Sequence, residues 1–228
     1  MLLILFFMSC LLMCLSFVYL KWRYKNQMFQ KGILEIIKAE YKYFTVCILL
    51  VIGLSILEIM YKREEGFEIF PLLLRWHIFL WGMLLIAKID IKQHLIPNHL
   101  LLGLLGVRVG FLIYEIISNF DFWQEVIKDC VIGALAGFIL LFIARVLSML
   151  ISKSAGVGMG DLKMFFIVGA FVGSSKILMT MFYTFFASAV MGIVFLIFKK
   201  AKLKDSLAMA PFAFVGVLVE FILLMIGG

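Results

Sequence analysis

Residues 177–198 read ILMTMFYTFFASAVMGIVFLIF, an apolar run with no charged side chain, bracketed by Lys176 on one side and Lys199 and Lys200 on the other. A helix needs about 20 mainly apolar residues to cross roughly 30 Å of hydrocarbon, so this run reads as a membrane span. Outward from it, similar windows lie near 2–20, 44–61, 69–89, 99–117, 127–151, 163–175 and 207–226. The window 163–175 is the weakest, being short and holding Gly169 and Gly173. The expectation is an all-α, polytopic integral membrane helical bundle of about eight transmembrane helices, with seven or six as fallback, in a single membrane domain over 1–228. Composition agrees: of 228 residues, 65% are apolar and 15% charged, with a mean hydropathy of +1.15. A soluble domain runs roughly 45–50% apolar and about 25% charged. So many apolar side chains cannot all be hidden in one small water-soluble core. A secreted disulfide scaffold, a disordered chain and a soluble nucleic-acid binder are excluded on composition. The first window has no positive charge ahead of it and no small-residue cleavage site after it, so it is read as a span rather than a cleaved signal peptide.

Positive residues orient such a bundle, because short basic loops stay on the cytoplasmic side. With the amino terminus outside, the inner segments hold Lys21, Arg23, Lys88, Lys92, Lys153, Lys163 and most of the other lysines. The outer segments hold only Lys62, Arg63, Lys128 and Lys176, while Arg75, Arg108 and Arg145 fall within spans. The net charge of +7 then reflects cationic loops set against anionic membrane lipid. No nucleic-acid partner is needed. The stretch 21–43, KWRYKNQMFQKGILEIIKAEYKY, alternates apolar and basic residues and is expected to lie along the cytoplasmic interface.

In so apolar a chain, two acidic residues sit in unusual company. Asp90 ends the third window in the string AKIDIKQHLIPNHLLLG, and Asp161 opens the sixth in SAGVGMGDLKMFFIVGAFVG. One out-and-back pair of spans separates them, which puts both on the same face, and the charge pattern makes that face cytoplasmic. Gly156, Gly158 and Gly160 give the chain ahead of Asp161 backbone freedom without side-chain bulk, so a peptide can approach closely. Pro97 blocks a regular helix through the loop after Asp90 and holds Ile96 extended. Two carboxylates close together in a low-dielectric site cannot both ionise cheaply and so share a proton. The ionised member can activate water while the protonated one polarises a peptide carbonyl, with no metal, cofactor or covalent intermediate. The competing readings are ordinary ones. Asp161 would serve equally well as a cap at a helix amino terminus, and the glycines as a helix-packing surface.

The two strings together resemble the type IV prepilin peptidase family, membrane aspartyl proteases of the Gly-x-Gly-Asp class related to preflagellin peptidases. The first family motif is matched by Asp90 with Ile96-Pro97-Asn98, and the second by Gly158-Met159-Gly160-Asp161-Leu162-Lys163. A weaker similarity is Pro211-Phe212, where Ala213 and Phe214 depart from the family pattern. The resemblance covers about residues 70–228, the peptidase-like core. It implies that Asp90 and Asp161 are a catalytic pair and that the substrate is a pilin-like precursor whose basic leader is cut after a glycine; Lys163 matches the family lysine and would either bias Asp161 toward its ionised form or serve as a snorkelling interfacial anchor. It also implies a multi-pass protein of a prokaryotic inner membrane with its active site facing the cytoplasm, serving a type IV pilus or secretion system.

One departure bears on chemistry. Many members carry a Cys-x-x-Cys zinc insert after the first span, linked to N-methylation. Here that position is the cysteine-free stretch 21–43, and Cys10, Cys14, Cys47 and Cys130 lie in or near apolar windows. Two thiols at i, i+4, Cys10 and Cys14, are too few for a structural zinc site. No zinc is expected, and methyl transfer is doubtful. His94 and His99 flank the Ile-Pro-Asn turn and are read as surface residues. Arg75 and His77 are ionisable groups within a span to which no motif assigns a role. The Phe-rich stripe at 165–198 is read as lipid-facing or packing surface. From a different class, the alternative function is a non-catalytic membrane protein, a small transporter or secretion-assembly component using the aspartates for ion handling or capping.

Overall fold

The computed structural model describes residues 2–23, 43, 45–50, 52–54, 56, 70–118, 120–152, 157–198 and 207–227. Most of the stretch 21–43 and Gly156 lie outside these. Every regular element among the described residues is helical: α1 (Leu2–Arg23), α2 (Phe70–Gln93), α3 (Asn98–Ser118), α4 (Trp123–Ser152), α5 (Met159–Val172), α6 (Ile177–Ile197) and α7 (Ala210–Gly227). A single 3-10 turn, Phe120–Phe122, leads into α4, and a shorter apolar helical stretch covers Thr45–Leu54. Each expected window therefore meets a helix, and the chain is a polytopic helical membrane protein. Five described helices, α2, α3, α4 with its 3-10 lead-in, α6 and α7, are long and apolar enough to cross a bilayer. The helix found over the weakest window is different in kind. It starts earlier than that window, at Met159, and its 14 residues extend only about 21 Å at 1.5 Å per residue.

The chain divides into two compact units, Met1–Trp81 with Leu224–Gly228, and Gly82–Leu223. In the first, the Tyr43 hydroxyl donates to Ser16 Oγ at 3.1 Å, and that hydroxyl donates to the Met13 carbonyl. His77 is buried with Nδ1 2.8 Å from the Leu73 carbonyl oxygen, and Trp76 packs tilted on Phe79. These are intrahelical and packing contacts.

The second unit is organised around α5. A helix apolar on all sides must be surrounded, and α5 buries Leu162, Met164, Phe165, Ile167, Val168 and Phe171. Its chief neighbour is α4, with α3 and α6 also against it. Lipid tails are as apolar as leucine, so association of helices in a membrane relies on close packing and hydrogen bonds. Gly133 and Gly137 of α4 supply the closeness: a Cβ on either would run into the Gly169 and Phe165 carbonyls of α5. Gly216 of α7 meets Thr180 and Thr184 of α6 in the same way.

Hydrogen bonds fix the far end of α5. Buried Arg108 of α3 donates from Nε to the Ala170 carbonyl at 2.7 Å and from Nη1 to Glu115 at 3.0 Å. Ala170 lies in the last turn, where helix carbonyls lack internal partners. Gly173 ends the helix at φ 91°, a conformation that glycine adopts freely. Asp129 of α4 then accepts from the Ser174 amide at 2.8 Å and its hydroxyl at 2.6 Å, closing the turn into α6. Lys176 in that turn pairs with Glu220 of α7 at 3.5 Å. So short a helix is held at both ends, and its beginning carries Asp161.

Candidate active site

Asp90 sits in the last turn of α2. The helix ends through His94, whose φ of 48° is left-handed and whose amide donates to the Asp90 carbonyl at 2.8 Å. That bond is the αL helix stop, here carried by a histidine rather than a glycine. The chain then runs through Leu95, Ile96 and Pro97 without regular structure and starts α3 at Asn98, with the Pro97 carbonyl accepting from the Leu100 and Leu101 amides. Asp90 is only 5% exposed, and its carboxyl accepts a 2.9 Å hydrogen bond from the Ala210 amide. Ala210 is the first residue of α7, and its N–H is one of the donors that a helix leaves unpaired.

Asp161 occupies the first turn of α5, outside the five long spans. Its Oδ2 accepts from the Gly158 amide at 3.2 Å, and a Cβ at 158 would sit 3.0 Å from that oxygen. Arg145, near the end of α4, donates to the Val157 carbonyl and so ties down the chain just before this turn. Two contacts join the Asp161 segment to the Ile-Pro-Asn loop. Gly160 lies against Ile96, where a Cβ would be 3.2 Å from the Ile96 Cβ. Lys163 Nζ donates to Asn98 Oδ1 at 3.2 Å.

The result is one cleft of about 460 Å³, lined by Asp90, His94, Ile96, Asn98, Gly158, Gly160, Asp161 and Lys163, with Leu207, Ala208 and Met209 closing the side nearest α7. Burial pushes the Asp161 carboxyl up to about 6, the negative charge of Asp90 adds to the rise, and the Gly158 amide opposes it. Asp161 therefore holds a proton at pH values where an ordinary carboxyl has lost it. The cleft thus offers one carboxyl hydrogen-bonded to a helix amino terminus and another that retains its proton up to about pH 6. That is the complement needed to deprotonate a water while protonating a carbonyl.

Of the residues singled out from sequence, Asp90, Ile96, Asn98, Gly158, Gly160, Asp161 and Lys163 meet in the cleft, and His94 joins them. Pro97 shapes the loop without lining it, and Gly156 lies outside the described residues. Arg75, His77 and His99 are not among the lining residues. Among the described residues no group of three or more His, Cys, Asp or Glu is placed to hold a metal ion. Two contributors had no sequence signal of their own. Ala210 acts through its backbone, so residue type says nothing, and only the neighbouring Pro211 hinted at a helix start. Arg145 looked like an arginine within a span.

Comparison with known proteins bears on the family of the chain. Residues 77–197 match the family described as the Type IV leader peptidase family. A protein of Stutzerimonas stutzeri called prepilin leader peptidase/N-methyltransferase is 29% identical over 132 residues, which cover 58% of this chain and 43% of that protein. Proteins of the same name are 26% identical over 132 residues in Pseudomonas aeruginosa (58% and 43%) and 25% identical over 155 residues in Bacillus subtilis (68% and 56%). The chain thus spans about half the length of the curated relatives it matches. No solved structure matches it.

Proposed function

The chain belongs to the type IV leader peptidase family, and from that premise we propose that it is a membrane aspartyl endopeptidase that removes the basic leader from type IV prepilin-like precursors at the cytoplasmic face of the membrane. The observation that carries the proposal is the shared cleft, in which burial, and after it the charge of Asp90, keep a proton on Asp161 up to about pH 6. Asp90, hydrogen-bonded to the Ala210 amide, takes a proton from water as the water oxygen attacks the scissile carbonyl carbon. Asp161 gives its proton to the carbonyl oxygen, forming a neutral gem-diol. Asp90 then hands its proton to the leaving nitrogen, the C–N bond breaks, and Asp161 recovers a proton from a diol hydroxyl. Both groups end as they began.

A second reading has specific support. Each aspartate accepts from a backbone amide at a helix start, Ala210 for Asp90 and Gly158 for Asp161, as a structural cap would. Under that reading the protein is a non-catalytic membrane component. Capping alone does not call for two carboxyls in one cleft, which favours the peptidase. Methyl transfer, which the relatives' names include, is left out of the proposal, because the cysteine-free stretch 21–43 offers none of the expected zinc ligands. The test is to incubate the full chain in liposomes with a pilin-like precursor and map the products by mass spectrometry. A single cut between the basic leader and the apolar segment is expected; an intact precursor would contradict the proposal.

A further inference from the structure

Beside the aspartate cleft lies a second cavity of about 430 Å³, walled by Leu101 and Leu105 of α3, Phe138 of α4, and Phe166 and Ile167 of α5. Asn98 and Lys163 line both cavities. Their hydrogen-bonded side chains therefore form a common wall, with carboxyls on one side and an apolar chamber on the other. From Asn98 to Leu105 the α3 wall descends seven residues, about 10 Å along the axis. Leu102 at the rim is 66% exposed, so the chamber opens sideways toward lipid. Leu105, Phe138 and Phe166 are half-buried within a packed unit.

A polypeptide whose scissile bond lies over the aspartates has to continue somewhere. The polar cleft suits the hydrophilic side of such a bond, and an apolar segment leaving it meets the Asn98–Lys163 wall and the chamber beyond. We propose that this chamber is the docking groove for the first turns of the substrate's apolar segment, on the membrane side of the scissile bond. The inference rests on the peptidase reading of the neighbouring cleft. The chamber shares Asn98 and Lys163 with the aspartate cleft, and that adjacency favours this occupant over a lipid acyl chain, which has no need to lie beside the carboxyls.

The test uses the full chain carrying Asp161→Asn, to hold substrate uncut, with a photoreactive benzoylphenylalanine at position 105 or, as control, at Ile197 on α6. Precursor is added in liposomes, irradiated, and the cross-linked residues are identified by mass spectrometry. Position 105 is expected to capture precursor residues within about seven positions of the cut on its membrane side, the number that fits 10 Å of helix, and at least tenfold more than position 197 does. Capture of lipid alone, capture through the leader, or equal capture at both positions would overturn the groove. Cleavage by the chain with Asp161 intact is measured in parallel. Absence of cleavage defeats the peptidase reading, whereas cleavage with capture of the wrong segment defeats only the groove.

Discussion

Gly160 faces Ile96 so closely that a Cβ on the glycine would lie 3.2 Å from the Ile96 Cβ. This contact brings the Gly-rich start of α5 onto the loop that follows Asp90, two segments far apart in sequence. Gly160→Ala should therefore force the two apart. Overpacking of this size disturbs a site by about 1–3 kcal/mol, which corresponds to a fall in kcat/KM of roughly tenfold or more. The double variant Gly160→Ala with Ile96→Gly removes the Ile96 Cβ that an alanine at 160 would meet and should recover most of that loss. A double-mutant cycle measuring cleavage checks it, and additive losses would count against the contact.

Ala210→Pro offers a cleaner change than most side-chain deletions. Proline is well tolerated at the first position of a helix, so α7 should still start there, but the amide that donates to Asp90 is gone. A hydrogen bond to a charged group is worth about 1.5–3 kcal/mol. The expected outcome is a drop of about ten- to a hundredfold in kcat of the folded protein, together with some loss of thermal stability, since Ala210 is fully buried and the lost bond also holds the fold. Unchanged kcat would show that the Ala210 amide does not support the reaction.

Asp161 should set the alkaline limb of the pH–rate profile. With its carboxyl held near 6, the proton-donating form prevails below that value and falls tenfold for each pH unit above it. kcat/KM for leader cleavage is expected to decline as pH rises through about 6, since that ratio reports the free enzyme. The same shift affects stability. Asp161 binds its proton more tightly folded than unfolded, so the stability linked to that proton is complete below about pH 4 and lost as pH rises through about 6. Asp161→Asn should thus be more stable than the parent chain at pH 7, with the difference closing toward pH 4.

Arg108 holds α3 to the end of α5 through the Ala170 carbonyl while pairing with Glu115. Removing one member of a fully buried pair leaves an uncompensated charge and costs about 3–5 kcal/mol, less here because Glu115 is only half-buried, whereas replacing both by apolar groups is often neutral. Arg108→Met should lower the thermal midpoint in detergent sharply, and Arg108→Met with Glu115→Leu should recover part of it. Equal destabilisation by the single and double variants would show that Glu115 is not the partner that matters.

The legible parts of this protein were those that depend on residue type and spacing. Apolar windows located the helices, because crossing hydrocarbon leaves few other solutions. Glycine and proline beside Asp90 and Asp161 marked the shaped turns. The window at 163–175 was misleading because apolarity reports surroundings and not length: α5 is apolar since neighbouring helices enclose it, and it starts at Met159 with Asp161 inside its first turn. The Ala210 amide and the left-handed His94 were invisible for another reason. A backbone donor has no letter of its own, and a histidine at positive φ looks like any other histidine. The link between Lys163 and Asn98 required knowing which helices are neighbours.

The most direct test is leader cleavage by Asp90→Asn and by Asp161→Asn, each at equal expression in membranes. Asparagine keeps an oxygen that can accept from Ala210 or Gly158, so both helix caps survive while acid–base exchange does not. Each variant should fold, insert and lose cleavage by at least a thousandfold. Full activity in either would contradict a paired-aspartate mechanism and leave these residues as caps.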